Sequence, residues 1–315
     1  MIGAKAQSLA EAILLTVAYS DIFDYPVTLA EIHRNLIGRQ ATPDEVEAAV
    51  RDELVRDRQL ETSHDHFFLP GRGKLVDHRR RRAPVARRLW PQAIRYGQWI
   101  AHLPYVRMVA VTGALTSSNV DDCADLDYLI ITAPGHLWTC RAFILLLTLI
   151  TAPFGARICP NYLLANNALG LPERDLFAAE EFARMALITG AEVWNTFRAR
   201  NGWIDDYLPN AVEYSAEDSY EPTFKPLQAV GEFLLSSRAG IALENWEMKR
   251  KIAKLSKQAT IASEAYFTAD CCKGHLNGHG ARIMQAFSNR AADIREQLIK
   301  NGARQGRATR RSSGR

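Results

Sequence analysis

Val109-Ala110-Val111-Thr112-Gly113-Ala114, followed ten residues later by Asp125-Leu126-Asp127-Tyr128-Leu129-Ile130-Ile131, is the stretch whose reading decides the fold. Side chains at i and i+2 of a strand project from one face, so Asp125 and Asp127 converge while Leu126 faces the opposite layer. Gly113 ends the first apolar strand where a side chain would obstruct close backbone approach. Thr116, Ser117 and Ser118 then begin a short helix whose free N–H groups face an anion. Paired carboxylates are hard oxygen ligands, suited to Mg²⁺ carrying a nucleotide phosphate. The stretch therefore predicts a phosphate pocket with a divalent cation at its rim.

An apolar strand, a glycine, a spacer of about ten residues and Asp-x-Asp together resemble the nucleotidyltransferase superfamily related to DNA polymerase β, over roughly residues 84 to 165. The resemblance implies transfer of NMP from an NTP with Mg²⁺. Asp125 and Asp127 would be the catalytic, metal-holding pair, and Gly113, Ala114, Thr116 and Ser117 the nucleotide-binding turn. Two positions depart from the family pattern. The turn reads Gly113-Ala114 where the family has Gly-Ser or Gly-Gly, so Thr116 or Ser117 must supply the missing hydroxyl. The next strand, Arg157 to Leu164, contains no acid, and Asn161 is the residue nearest the family's third carboxylate and so the third metal-ligand candidate. An amide offers an oxygen to a metal but is no base at neutral pH, so nucleotide binding is better supported than turnover. Solvation or capping of a loop is the competing use of Asp-x-Asp, but it requires neither the flanking strands nor the glycine.

A chain of 315 residues with 47% hydrophobic content exceeds what one core usually supports, so two or three domains are expected. The net charge of +4 resides in the tail: without Arg304, Arg307, Arg310, Arg311 and Arg315 the remainder carries −1. Residues 302–315, rich in Gly, Ser and Arg, read as a disordered basic tail that aids solubility or touches nucleic acid. Five cysteines, an odd number, give no disulfide framework, and no signal-peptide pattern opens the sequence, which fits a cytoplasmic protein. The most apolar stretch, Ala142 to Phe154, spans thirteen residues. That is short of the roughly twenty that cross a bilayer, so it reads as a buried crossover helix with no membrane partner.

Residues 5–72 read as a small winged-helix-like domain. Leu9 to Tyr19 is an apolar helix, and capping boxes at Thr28-Leu29-Ala30-Glu31 and Thr42-Pro43-Asp44-Glu45 open two more. Gln59 to Leu69 then reads as a hairpin. DNA binding is disfavoured, because six acids against three arginines between Thr42 and Arg58 give a net-negative third helix that phosphates repel. His64 and His66 alternate on the hairpin but lack a third metal ligand nearby, and read as turn residues.

Residues 73–212 form the expected nucleotidyltransferase-like core with a basic entry helix. Arg72, Lys74, Arg79 to Arg82, Arg87 and Arg88 carry eight positive charges opposed by Asp77 alone. They fit either a basic lip holding triphosphate or an RNA acceptor, or a solvated helix paired with the acidic helix before it. Leu171 to Arg198 reads as helical, Asp205 and Asp206 as turn acids, and Tyr214 to Thr223 as a domain boundary. Residues 222–301 read as a helical C-terminal region. It is interrupted by a glycine-rich loop in which Cys271, Cys272, His275 and His279 offer a weak zinc pattern. The sequence thus describes an α+β protein whose nucleotidyltransferase-type mixed sheet is flanked by a winged-helix-like domain and a helical region. Two functions fit: a Mg²⁺-dependent nucleotidyltransferase acting on an RNA, small-molecule or protein acceptor, and a catalytically degenerate nucleotide-binding regulator using its N-terminal domain for protein or DNA contacts.

Overall fold

The computed structural model describes residues 6–211, 226–257, 265–274 and 278–312. Apolar residues on nearly every face bury α1 (Leu9–Asp21) from Glu11 onward, and the Ser8 hydroxyl caps it by accepting from Glu11 N at 3.1 Å. Both capping boxes form, opening α2 (Leu29–Arg34) and α3 (Pro43–Ala48), and α3 continues through a wider π turn, Ala49–Val55. The hairpin β1 (Glu61–Ser63) and β2 (His66–Phe68) turns at His64 and Asp65, whose φ angles are 49° and 60°. Three helices and a hairpin thus occupy the segment read that way.

The basic run lies on α4 (Lys74–Ala101), a 28-residue helix. Three of its arginines pair with acids, but not with those of α3. Arg79 makes a two-pronged contact with Glu31 at 2.7 and 2.8 Å, Arg82 reaches Asp121 and Asn119, and Arg88 reaches Asp122. Arg72, just before the helix, bonds Asp21 and Asp24. The helix is thereby tied to the N-terminal segment on one side and to the loop ahead of the Asp-x-Asp strand on the other.

After α4 come β3 (Val106–Thr112), β4 (Leu126–Thr132), α5 (Leu137–Thr151) and β5 (Ile158–Ala165). β3 and β4 pair antiparallel; β4 and β5 pair parallel, with α5 as the crossover between them. The apolar crossover is longer than the sequence suggested. With its terminal 3₁₀ turn it runs Leu137–Phe154, eighteen residues, and by length and composition it could cross a membrane, a measure that core helices also meet. Nor is it fully buried: Trp138, Cys140 and Ile144 pack inward, while Leu149 and Phe154 are 72% and 80% exposed. Burial of a crossover helix is one-sided because only one stripe meets the sheet.

Three further readings are corrected. The helical stretch 171–198 is two helices, α6 (Leu176–Ala183) and α7 (Ala191–Arg200), separated by β6 (Ala186–Thr189) on the outer edge of β3. Pairing with an open edge overrides local helix propensity there. Gly190 ends this strand at φ +88°, where a Cβ would lie 2.3 Å from the Arg107 carbonyl oxygen, so no other residue fits without movement. The C-terminal region holds helices α8 (Pro226–Leu235) and α9 (Arg238–Ser256), but also β7 (Tyr266–Phe267) and β8 (Cys271–Lys273). These strands extend the sheet to six, in the order β6-β3-β4-β5-β8-β7, so the supposed loop at Cys271-Cys272 is sheet interior. Finally, the last helix, α10 (His279–Ser312), carries its backbone through residues 302–312, which the composition assigned to a disordered tail. Those residues continue an established helix, so propagation needs no new nucleus. The proposed boundary at Tyr214 to Thr223 lies outside the described residues.

Alternation along the strands sorts the core into two layers. Met108, Ala110, Leu129 and Ile131 face α1, α6, α7 and α10, in one apolar cluster running from Ala12 to Ile294. Val109, Val111, Tyr128 and Ile130 face α4, α5 and α9 on the other side. Across this second layer Glu244 of α9 accepts from the Trp138 and Thr139 amides at 3.0 and 2.6 Å, satisfying free donors at the start of α5.

Candidate functional site

The end of β3 and the start of β4 lie side by side, with Thr112 opposite Asp127 in register. Gly113 leaves the strand at φ +73°, and a Cβ there would lie 2.6 Å from Asp127 Oδ2. Glycine is required twice over, by its backbone angle and by the carboxylate passing above it. The turn that follows, Gly113–Ser117, is five residues of 3₁₀ helix rather than an α-helix. Thr116 turns inward and donates to the Gly113 carbonyl oxygen at 2.7 Å, whereas Ser117 Oγ accepts from Arg184 Nη1 at 3.1 Å.

Gly113, Ala114, Ser117, Asp127 and Asn161 line one cavity of about 390 Å³. Thr116 lines an adjoining cavity of about 120 Å³ instead, with Tyr25, Arg34 and Trp90, and its hydroxyl is already engaged. The expected convergence of the two acids is corrected: Asp125 precedes β4, is exposed and does not line the cavity, while Asp127, on the strand, is partly buried and does. Burial pushes the Asp127 carboxyl up from 3.8 to about 6; the neighbouring Cys159 thiol opposes that rise and the Asp125 charge adds to it. Cys159 is the residue of β5 that stands opposite Asp127, and burial and the Asp127 charge together push its thiol up to about 12.

Sequence reading missed the opposite wall. α6 contributes Phe177, Glu180 and Glu181, and Arg184 follows it, all lining the same cavity. Glu180, 2% exposed, is held by Arg184 at 2.7 Å. Glu181 has no hydrogen bond or contact ion pair with a described residue, and it also lines a smaller chamber of about 60 Å³ with Thr112, Asn161 and Lys273. Burial pushes its carboxyl up from 4.5 to about 7, with Arg184 opposing and Asp127 adding. The signal lay in Leu176-Phe177-Ala178-Ala179-Glu180-Glu181-Phe182-Ala183, where two acids sit within an otherwise apolar helix. The N-terminal segment adds Tyr19, Ser20, Phe23 and Tyr25, a contribution no local pattern announces.

The oxygens lining these chambers are of the kind a hard divalent cation takes: a carboxylate at Asp127, an amide at Asn161, and the buried Thr112 hydroxyl, which lacks a hydrogen-bond partner among the described residues. Three acids, Asp127, Glu180 and Glu181, stand against Arg184 in the lining, so the cavity disfavours a bare anion. The zinc pattern is not assembled. Cys271 and Cys272 point into opposite core layers, and among the described residues no group of three or more His, Cys, Asp or Glu is placed to hold a metal; His275 lies outside them. His64 and His66 are engaged locally, with Ser63 and the His64 carbonyl.

Comparison with family models, with curated proteins and with solved structures finds no match to this chain.

Proposed function

We propose that the chain is a Mg²⁺-dependent nucleotidyltransferase that transfers NMP from an NTP to an acceptor. The observation that carries this reading is the convergence of the Gly113 turn, Asp127 and Asn161 on one cavity across three adjacent strand ends. In this reading the backbone of Gly113 and Ala114, the Ser117 hydroxyl and Arg184 receive the phosphates. Thr116 acts through the turn, by holding the Gly113 carbonyl. Asp127 and Asn161 would hold the cation, with the charge of nearby Asp125 reinforcing that of Asp127; when bound, the cation would neutralise phosphate charge and orient the triphosphate. The acceptor oxygen bonds to the α-phosphorus as the bond to pyrophosphate breaks, and the proton goes to Glu181, the cavity carboxylate without a partner. Asn161 could not take it.

A second reading, a nucleotide-binding regulator without turnover, is favoured by one observation: β5 carries Cys159 and Asn161 where an acid would stand. Pyrophosphate release from each of the four NTPs, measured with candidate RNA, metabolite and protein acceptors, separates the two. Loss of release in Asp125→Asn and Asp127→Asn supports the enzyme. Nucleotide binding with no release across the acceptors supports the regulator, and absence of binding removes both.

A further inference from the structure

The nucleotide cavity has two chemically different halves, and the second half is built largely by the N-terminal segment. One half is the polar strand-end group of Gly113, Ser117, Asp127 and Asn161, with Arg184 beside it. The other is aromatic: Tyr19, Phe23 and Tyr25 from the N-terminal segment, Phe177 from α6 and His279 from α10. A ligand complementary to both halves carries a charged phosphate group at one end and a flat, largely apolar ring at the other. A sugar phosphate or an inorganic polyphosphate would leave the ring half unmatched.

We infer that Tyr19, Phe23, Tyr25 and Phe177 form a nucleobase subsite, so that the N-terminal segment serves as a substrate wall. This rests on the nucleotide reading given above. Three observations support it. The cavity volume of about 390 Å³ lies within the range of small-molecule sites. Phe23 and Phe177 line it as rings, and stacking on an aromatic side chain tolerates any base because every base has a π-face. The wall is also fixed in place: Asn119 Nδ2 donates to the Phe23 carbonyl oxygen at 2.9 Å while Asn119 Oδ1 accepts from Arg82 at 2.8 Å. Tyr25 is held independently, beneath the Arg79 guanidinium at 4.2 Å and with its hydroxyl donating to Glu31 at 2.7 Å. Arg82 and Arg79 of the basic helix therefore position the aromatic wall rather than contact phosphate.

Calorimetric titration of the full chain tests this with two probes, Mg²⁺·α,β-methylene-ATP and Mg²⁺·tripolyphosphate. Wild-type protein is expected to bind the nucleotide more tightly than the tripolyphosphate. Phe23→Leu and Phe177→Leu, which keep apolar bulk but remove the ring, are expected to weaken nucleotide binding by about tenfold or more. Both should leave tripolyphosphate binding unchanged, which also shows that the variants are folded. Equal affinity for the two probes in wild type, or leucine variants that retain full nucleotide affinity, would overturn the base subsite. Binding of neither probe by wild type would overturn the nucleotide reading itself.

Discussion

Gly113 concentrates the demands of the site on a single residue. Its left-handed backbone and the Asp127 carboxylate over its missing side chain mean that Gly113→Ala must either shift the turn or push Asp127 aside. A non-glycine residue forced into such a conformation costs about 1–3 kcal/mol, and that loss should be visible by urea denaturation. Nucleotide affinity, measured on the same protein, should fall with it, because the turn and the carboxylate move together; unchanged affinity would separate them. The glycine and Asp127 were legible from their spacing alone. Thr116 was not, because whether a hydroxyl faces a ligand or its own turn depends on the rotamer that a 3₁₀ turn permits.

At the scale of elements, α6 decides the electrostatics of the cavity. Glu181 releases its proton less readily in the folded chain, near pH 7, than at its ordinary value of 4.5. The protonated form is thus favoured by folding. The group does not oppose folding below about pH 4.5, and it destabilises progressively as pH rises from there to about 7. Glu181→Gln removes this penalty. It should raise stability at pH 8 by something on the order of 2 kcal/mol and change it little at pH 4.5, as read by denaturation at both pH values. Pyrophosphate release should fall in the same variant, a pairing of gained stability with lost activity that a purely structural carboxylate would not show. That α6 is a helix followed by an edge strand could not be read from residues 171–198, since a four-residue strand declares itself only when β3 offers it a partner.

At the scale of the whole molecule, the long C-terminal helix closes the N-terminal segment onto the sheet. Arg295 reaches Glu11 at 2.7 Å and Arg290 reaches Asp21 at 2.9 Å, and both acids are nearly buried on α1. Arg295→Ala leaves the Glu11 carboxylate without its charged partner. It should cost about 1–3 kcal/mol in denaturation at neutral pH. Because α1 also supplies Tyr19 to the cavity, the same variant should weaken nucleotide binding, whereas an exposed pair such as Arg51–Glu47 should be neutral to both when broken. By itself the sequence determined what is local: the paired apolar strands, the glycine turn beside Asp127, the two capping boxes and the crossover helix. Each is written in the spacing of neighbouring residues, where backbone geometry dictates the outcome. Only the tertiary structure decided that β8 enters the sheet, and that Glu181 and the aromatic residues 19–25 line one cavity with Asp127. Those depend on surfaces brought together from distant parts of the chain, and the free energy that selects them comes from burial that no single segment can achieve alone.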